Sequence, residues 1–169
     1  TTDNQGSNNI VDYIGYDKRI YPVGRLDKDS EGLILLTNQG QLMDDILRSV
    51  NGHEKEYVVT VNKKLSKDFE KRMSQSMYIK ELDRFTRECT VKVTGDYSFN
   101  IILTQGLNRQ IRRMCDELGI EVARLKRTAI AGVKLGMLPQ GKWRELTPQE
   151  VSHILSAAGA KSNKKEKRR

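Results

Sequence analysis

The chain has 169 residues, 37% of them hydrophobic and 31% charged, which suits one globular domain with a sizeable core and excludes a disordered or fibrous chain. No apolar run approaches the ~18–20 residues of a membrane helix, and the polar residues 1–9 carry no secretion-signal pattern. The net charge of +8 points to a polyanionic partner, with nucleic acid the first candidate, yet residues 161–169 alone hold +5 of it and leave +3 for the rest.

Residues 1–18 are polar and carry little that folds alone. Arg19–Leu26 reads as extended, with Pro22 placing it at an edge or strand start. A polar turn, Asp27–Glu31, leads into the apolar run Gly32–Thr37 (GLILLT), the pattern of one buried strand. Asn38 or Gly40 opens a helix to about Arg48, with Leu42, Ile46 and Leu47 on one stripe. Lys55–Asn62 alternates as a strand, and Ser66 is placed to cap a helix running to about Ser76. Arg87–Thr94 and Ser98–Thr104 form a hairpin around Gly95-Asp96. Asn108–Leu118 is an amphipathic helix ended by Gly119, and Val122–Ile130 is a further strand. Thr147-Pro148-Gln149-Glu150 is a capping box that starts a last helix reaching about Ala158. The basic residues beyond Gly159 read as a disordered tail. Many strands with interspersed helices predict the α+β class, built on a mostly antiparallel sheet flanked by helices.

Cys89 and Cys115 make neither a disulfide framework nor a zinc signature, and with no secretion signal both read as reduced thiols in a cytoplasm. Cys115 is expected as a small buried residue on a helix. His53 lies in a loop and reads as a surface residue. Lys55 is either a phosphate contact or a solvated strand residue. Trp143 is expected to pack in the core.

Two polar segments carry chemistry. The first is Arg25–Gly32 (RLDKDSEG). As a calcium loop it would place Asp27, Asp29 and Glu31 at positions one, three and five, but Asn38 stands where a bidentate Glu is needed. As a strand end it places Arg25 and Asp27 on one face. A guanidinium beside a carboxylate keeps it ionised, and an ionised Asp at a turn tip is a candidate nucleophile. Asp29 and Glu31 read as turn formers. The second segment is Gln105–Met114 (QGLNRQIRRM). Its helical spacing puts Arg109, Arg112 and Arg113 on one face opposite an apolar stripe containing Ile111. Arginine forks suit phosphate, and cations crowded at a helix N-terminus oppose the macrodipole, so a partner anion is implied.

Together these segments resemble the RsuA/RluF-type family of ribosomal RNA pseudouridine synthases. The hallmark GRLDxxSEGLLLLTNDG is similar to Gly24–Gly40, GRLDKDSEGLILLTNQG. Lys55-Glu56-Tyr57 matches a second motif, Asn108–Met114 (NRQIRRM) a third, and Gly141–Leu146 (GKWREL) a trailing one. The wording at His53–Tyr57 and 105–115 resembles the RluF branch. The resemblance implies a pseudouridine synthase catalytic domain over residues 1–158 with a basic tail at 159–169. It implies Asp27 as the catalytic aspartate and Tyr57 stacking on the target base. Arg112 would pair with that aspartate, and Ile111 would lie against the base's other face. Arg25 is implied at the RNA, with Arg109 and Arg113 as further RNA contacts. It further implies no cofactor, no metal, a monomer, and ribosomal RNA (with tRNA as a second possibility) as partner. The family's small N-terminal RNA-binding domain and its Lys-Pro-x-Gly motif precede the point where this chain begins, so a catalytic domain without that companion is expected. A noncatalytic RNA-binding or ribosome-assembly module is the alternative, and a metal-binding protein a third.

Overall fold

In the computed structural model the described residues are 9–156, so the polar start and the basic tail at 159–169 lie outside them. The chain divides into two compact units. Among the described residues the first unit comprises 9–26, 34–50 and 137–156, and the second 27–33 and 51–136.

In chain order the elements are α1 (Ile10–Ile14), β1 (Tyr21–Val23), β2 (Glu31–Gly32), β3 (Leu35–Thr37), α2 (Met43–Asn51) and β4 (Lys55–Val61). They continue with α3 (Phe69–Ser74), β5 (Tyr78–Ile79), β6 (Arg84–Phe85), β7 (Thr90–Gly95), β8 (Ser98–Leu103), α4 (Gln110–Glu117), β9 (Val122–Ile130) and β10 (Val133–Lys134). A final helix, α5, spans 148–156. None of these helices is long and apolar enough to cross a membrane.

In the first unit β1 and β3 pair antiparallel, Tyr21 opposite Thr37 and Val23 opposite Leu35. Pro22 sits in a strand with one neighbour, where its missing N–H costs no ladder bond. The capping box forms as read: the Glu150 N–H donates to Thr147 Oγ1 at 3.2 Å, and the Thr147 N–H donates to Glu150 Oε1 at 2.9 Å. Arg144 closes on the same Glu150 carboxylate with two bonds of 2.8 and 2.9 Å. Thr147→Ala is therefore expected to lower stability by about 1 kcal/mol, read as a fall in the thermal midpoint with the folded signal unchanged.

The second unit is a six-stranded sheet in the order β10-β9-β4-β8-β7, with β2 laid parallel to β9. Every other pairing in it is antiparallel. The α+β class and the mostly antiparallel mixed sheet are thus as expected. Alternation sends Phe99, Ile101 and Leu103 of β8 to one face, where α3 contributes Phe69 and Met73 and α4 contributes Met114 and Cys115. Phe99, Ile101, Met73, Met114 and Cys115 are fully buried there.

Four local expectations are corrected. The run Gly32–Thr37 is not one strand: Glu31–Gly32 pairs with β9, and Leu35–Thr37 pairs with β1, so one apolar run serves two sheets. Strand β1 stops at Val23, which leaves Arg25 and Asp27 outside any strand and removes the alternation that put them on one face. Helix α3 starts at Phe69 rather than after Ser66, whose hydroxyl donates to Asp68 Oδ1 at 2.6 Å instead of capping. Trp143 is 49% exposed and meets Tyr16 edge-to-face at 5.3 Å, because residues 142–147 form no regular element that would carry it inward.

Candidate functional site

The acidic turn is a short loop with fixed ends. The Ser30 N–H donates to the Asp27 carbonyl at 2.9 Å, closing the turn. Glu31 and Gly32 then lie beside Lys126 and Arg127 of β9. Leu33 N–H donates to the Arg127 carbonyl at 2.8 Å, and Arg127 Nε donates back to the Leu33 carbonyl at 2.8 Å. Arg127 is buried, and Glu31 is gripped through both carboxylate oxygens by Arg124. The turn is therefore pinned to β9 immediately after the residues it presents.

Opposite lies the start of α4. The helix begins at Gln110, two residues later than expected, because Arg109 adopts a left-handed conformation (φ 49°, ψ 37°). That backbone is uncommon for a branched-free cationic residue and sends its side chain off the helix face. Its guanidinium takes the Asp29 carboxylate in a fork of two bonds, 2.9 and 2.8 Å, and lies 3.8 Å from Asp27 Oδ2. Arg112 donates to the Asp29 carbonyl at 2.7 Å and stands 3.5 Å from its carboxylate. Arg113 turns back on its own helix start, bonding the carbonyl and side chain of Asn108 at 3.0 and 3.1 Å.

This changes two pairings. Arg112 was expected against Asp27; its carboxylate partner is Asp29, and Arg109 is the guanidinium beside Asp27. The reason is the late start of α4, which aims Arg109 rather than Arg112 at the turn's tip. The partner anion that the crowded cations called for lies within the chain: it is Asp29, read from sequence as a turn former. The spacing of two carboxylates in Asp-Lys-Asp against three arginines was the available signal.

Tyr57 lies in β4 between Ile101 of β8 and Arg127 of β9, half-buried against the core that also holds Ile111. Arg25 belongs to the first unit. Lys55 is neither a phosphate contact nor solvated. It is buried, and its ammonium donates to the carbonyls of Asn51, His53 and Thr104 at 3.2–3.4 Å. Burial, aided by the charge of Arg127, pushes its pKa down. Arg127 was missed altogether, although it stands two residues from Leu125 on the apolar face of its strand, a position that calls for a buried role.

The thiols offer no nucleophile: burial pushes Cys115 up to about 12 and Cys89 up to about 11. The calcium-loop reading meets guanidiniums at two of its carboxylates, Asp29 and Glu31, and no cluster of three metal-ligating side chains occurs among the described residues.

The bonds from Arg109, and the charge of Arg112, hold the Asp29 carboxyl at about 2, below the ordinary 3.8. The unfolded chain therefore binds this proton first as pH falls. The contribution of the pair is present above pH 3.8 and is lost on acidification towards 2. Because the pair is exposed, that contribution is below about 1 kcal/mol. In urea unfolding at stepwise lower pH, the wild type is expected to lose more stability across this window than Asp29→Asn does.

Comparison with known proteins follows the same segments. Residues 2–117 match the family model described as RNA pseudouridylate synthase. The chain is 50% identical over 151 residues to the dual-specificity RNA pseudouridine synthase RluF of Escherichia coli strain K12, covering 89% of this chain and 51% of that protein. It is 31% identical over 169 residues to the ribosomal large subunit pseudouridine synthase B of Bacillus subtilis strain 168, covering 92% and 66%. A crystal structure of a pseudouridylate synthase superposes with a TM-score of 0.76 at 28% identity, covering 84% of this chain and 64% of that one. The chain thus spans about half the length of the RluF proteins it matches.

Proposed function

The chain belongs to the RNA pseudouridylate synthase family, and we propose that it converts a uridine of ribosomal RNA, on the large subunit, to pseudouridine, with Asp27 as its essential residue. The resemblance to a large-subunit synthase and to RluF supports the choice of RNA. Transfer RNA is the second substrate class to test. A monomer acting in the cytoplasm, where its RNA is made, completes the reading.

The observation that carries it is the placement of Asp27. Its carboxylate opens a turn anchored to β9, 3.8 Å from the Arg109 guanidinium. Isomerisation breaks the bond between C1′ of the ribose and N1 of uracil and forms a bond from C1′ to C5. The C5 proton leaves and N1 takes one up, so atoms balance without a redox or phosphoryl donor. A stacked base hides these atoms, so the uridine is flipped out. Tyr57 then stacks on the base, worth ~1–3 kcal/mol, with Ile111 on its other side. Asp27 attacks the ribose or the uracil ring, or removes a proton. Arg109 balances its charge, Arg112 holds the turn through the Asp29 carbonyl, and Arg25 and Arg113 contact the RNA backbone.

The test is pseudouridine mapping of ribosomal RNA and tRNA transcripts incubated with the protein. Site-specific product in large-subunit RNA is the expected result. RNA binding without product would favour the noncatalytic module.

A further inference from the structure

Four charged groups meet at the turn: Asp27, Asp29, Arg109 and Arg112. One of them has no task in the reading above. The Asp29 carboxylate takes both arms of the Arg109 fork, yet it is half exposed, as is the pair it makes. Such a pair adds little to folding. It occupies the bidentate geometry by which an arginine holds a phosphate. Arg112 approaches the same carboxylate from 3.5 Å, and its Nε is buried without a hydrogen-bond partner, a donor that Asp29 leaves unused.

We propose that Arg109 and Arg112 form a subsite for a backbone phosphate of the RNA, and that the Asp29 carboxylate fills this subsite in the free protein and gives way to the phosphate on binding. The inference rests on the proposed RNA substrate. The exchange needs only rotation of one side chain. Arg112 holds the backbone carbonyl of Asp29 at 2.7 Å, and the Ser30 N–H holds that of Asp27, so the turn stays in place as the carboxylate leaves. Until RNA arrives, the internal carboxylate keeps the Arg109 fork facing the turn and neutralises it against other polyanions. The low pKa of Asp29, about 2, keeps this occupant charged at any physiological pH.

The test is fluorescence anisotropy with a labelled large-subunit ribosomal RNA transcript, titrated at several salt concentrations. Wild type, Asp29→Asn, Arg109→Gln and the double variant are compared, each with its thermal melt as a check of folding. Vacating the subsite should strengthen binding by Asp29→Asn about 5- to 10-fold with the salt dependence little changed, since the same phosphate is held in both complexes, whereas Arg109→Gln should make log affinity fall less steeply with log salt, by ~0.7–0.9. The gain from Asp29→Asn should vanish in the Arg109→Gln background. Equal or weaker binding by Asp29→Asn would overturn the exchange, as would a gain that survives Arg109→Gln, since that would be a general charge effect. Both outcomes leave the proposed function standing if the wild type binds and converts the RNA. A wild type that neither binds nor converts any ribosomal RNA would overturn both.

Discussion

Asp27→Asn is expected to lower the single-turnover rate of pseudouridine formation by roughly 10³-fold or more, with RNA affinity changed only a few-fold. Asparagine keeps the shape of the side chain but is a far poorer nucleophile and base. The turn survives the exchange because it closes through the Asp27 backbone carbonyl, which Ser30 holds at 2.9 Å, and not through the carboxylate. The neighbouring charge is also cared for. Arg109 keeps its two bonds to Asp29 when its 3.8 Å neighbour is neutralised. The loss should therefore lie in the chemical step, visible as a collapse of rate at saturating RNA with the melting temperature within a degree or two. Product at the wild-type rate from Asp27→Asn would remove Asp27 from the mechanism.

The second large effect is structural. Gly32→Ala is expected to destabilise the protein by about 3–5 kcal/mol, enough to leave much of a marginally stable chain unfolded. Gly32 has φ +111°, a backbone that L residues avoid, and a Cβ there would lie 2.2 Å from the Arg127 carbonyl oxygen and 2.6 Å from its nitrogen. These are backbone atoms in the middle of β9, held by β4 on the other side, and they have nowhere to go. The strand contact would have to open, taking with it the paired bonds between Leu33 and Arg127. Chemical denaturation of Gly32→Ala beside Gly136→Ala checks this. A Cβ at Gly136 meets nothing within 4 Å, so that variant carries backbone strain alone. Equal losses in the two would show that β9 gives way easily.

Period and punctuation made much of this fold legible. The strand Val122–Ile130 and the capping box at Thr147 lie where alternation and helix-start chemistry put them. The Gly95 turn also follows its local signal. What could not be read is what depends on partners distant in sequence. The apolar run at 32–37 carries no mark of the two different sheets its ends join. The start of α4 depends on Arg109 leaving helical geometry to reach Asp29, eighty residues away. Lys55 looks like any surface lysine until three backbone carbonyls close around it. That the acidic turn and the arginine helix belong together was legible, because motif wording keeps identities together. The site's pairings were not, because the left-handed backbone of Arg109 decides which arginine faces which carboxylate.

The parallel contact between Glu31–Gly32 and Lys126–Arg127 also leads us to expect an order of assembly. The segment bearing Asp27 docks on a strand 94 residues downstream, so its closure entropy is offset only when β9 is already in place. The hairpin β7–β8 and its pairing with β4 join nearer neighbours, whereas the turn bearing Asp27 needs residues up to 127 for its docking. The turn that carries the proposed catalytic aspartate is thus expected to close late in folding. Changes confined to the turn should accordingly hasten unfolding and leave the folding rate nearly untouched.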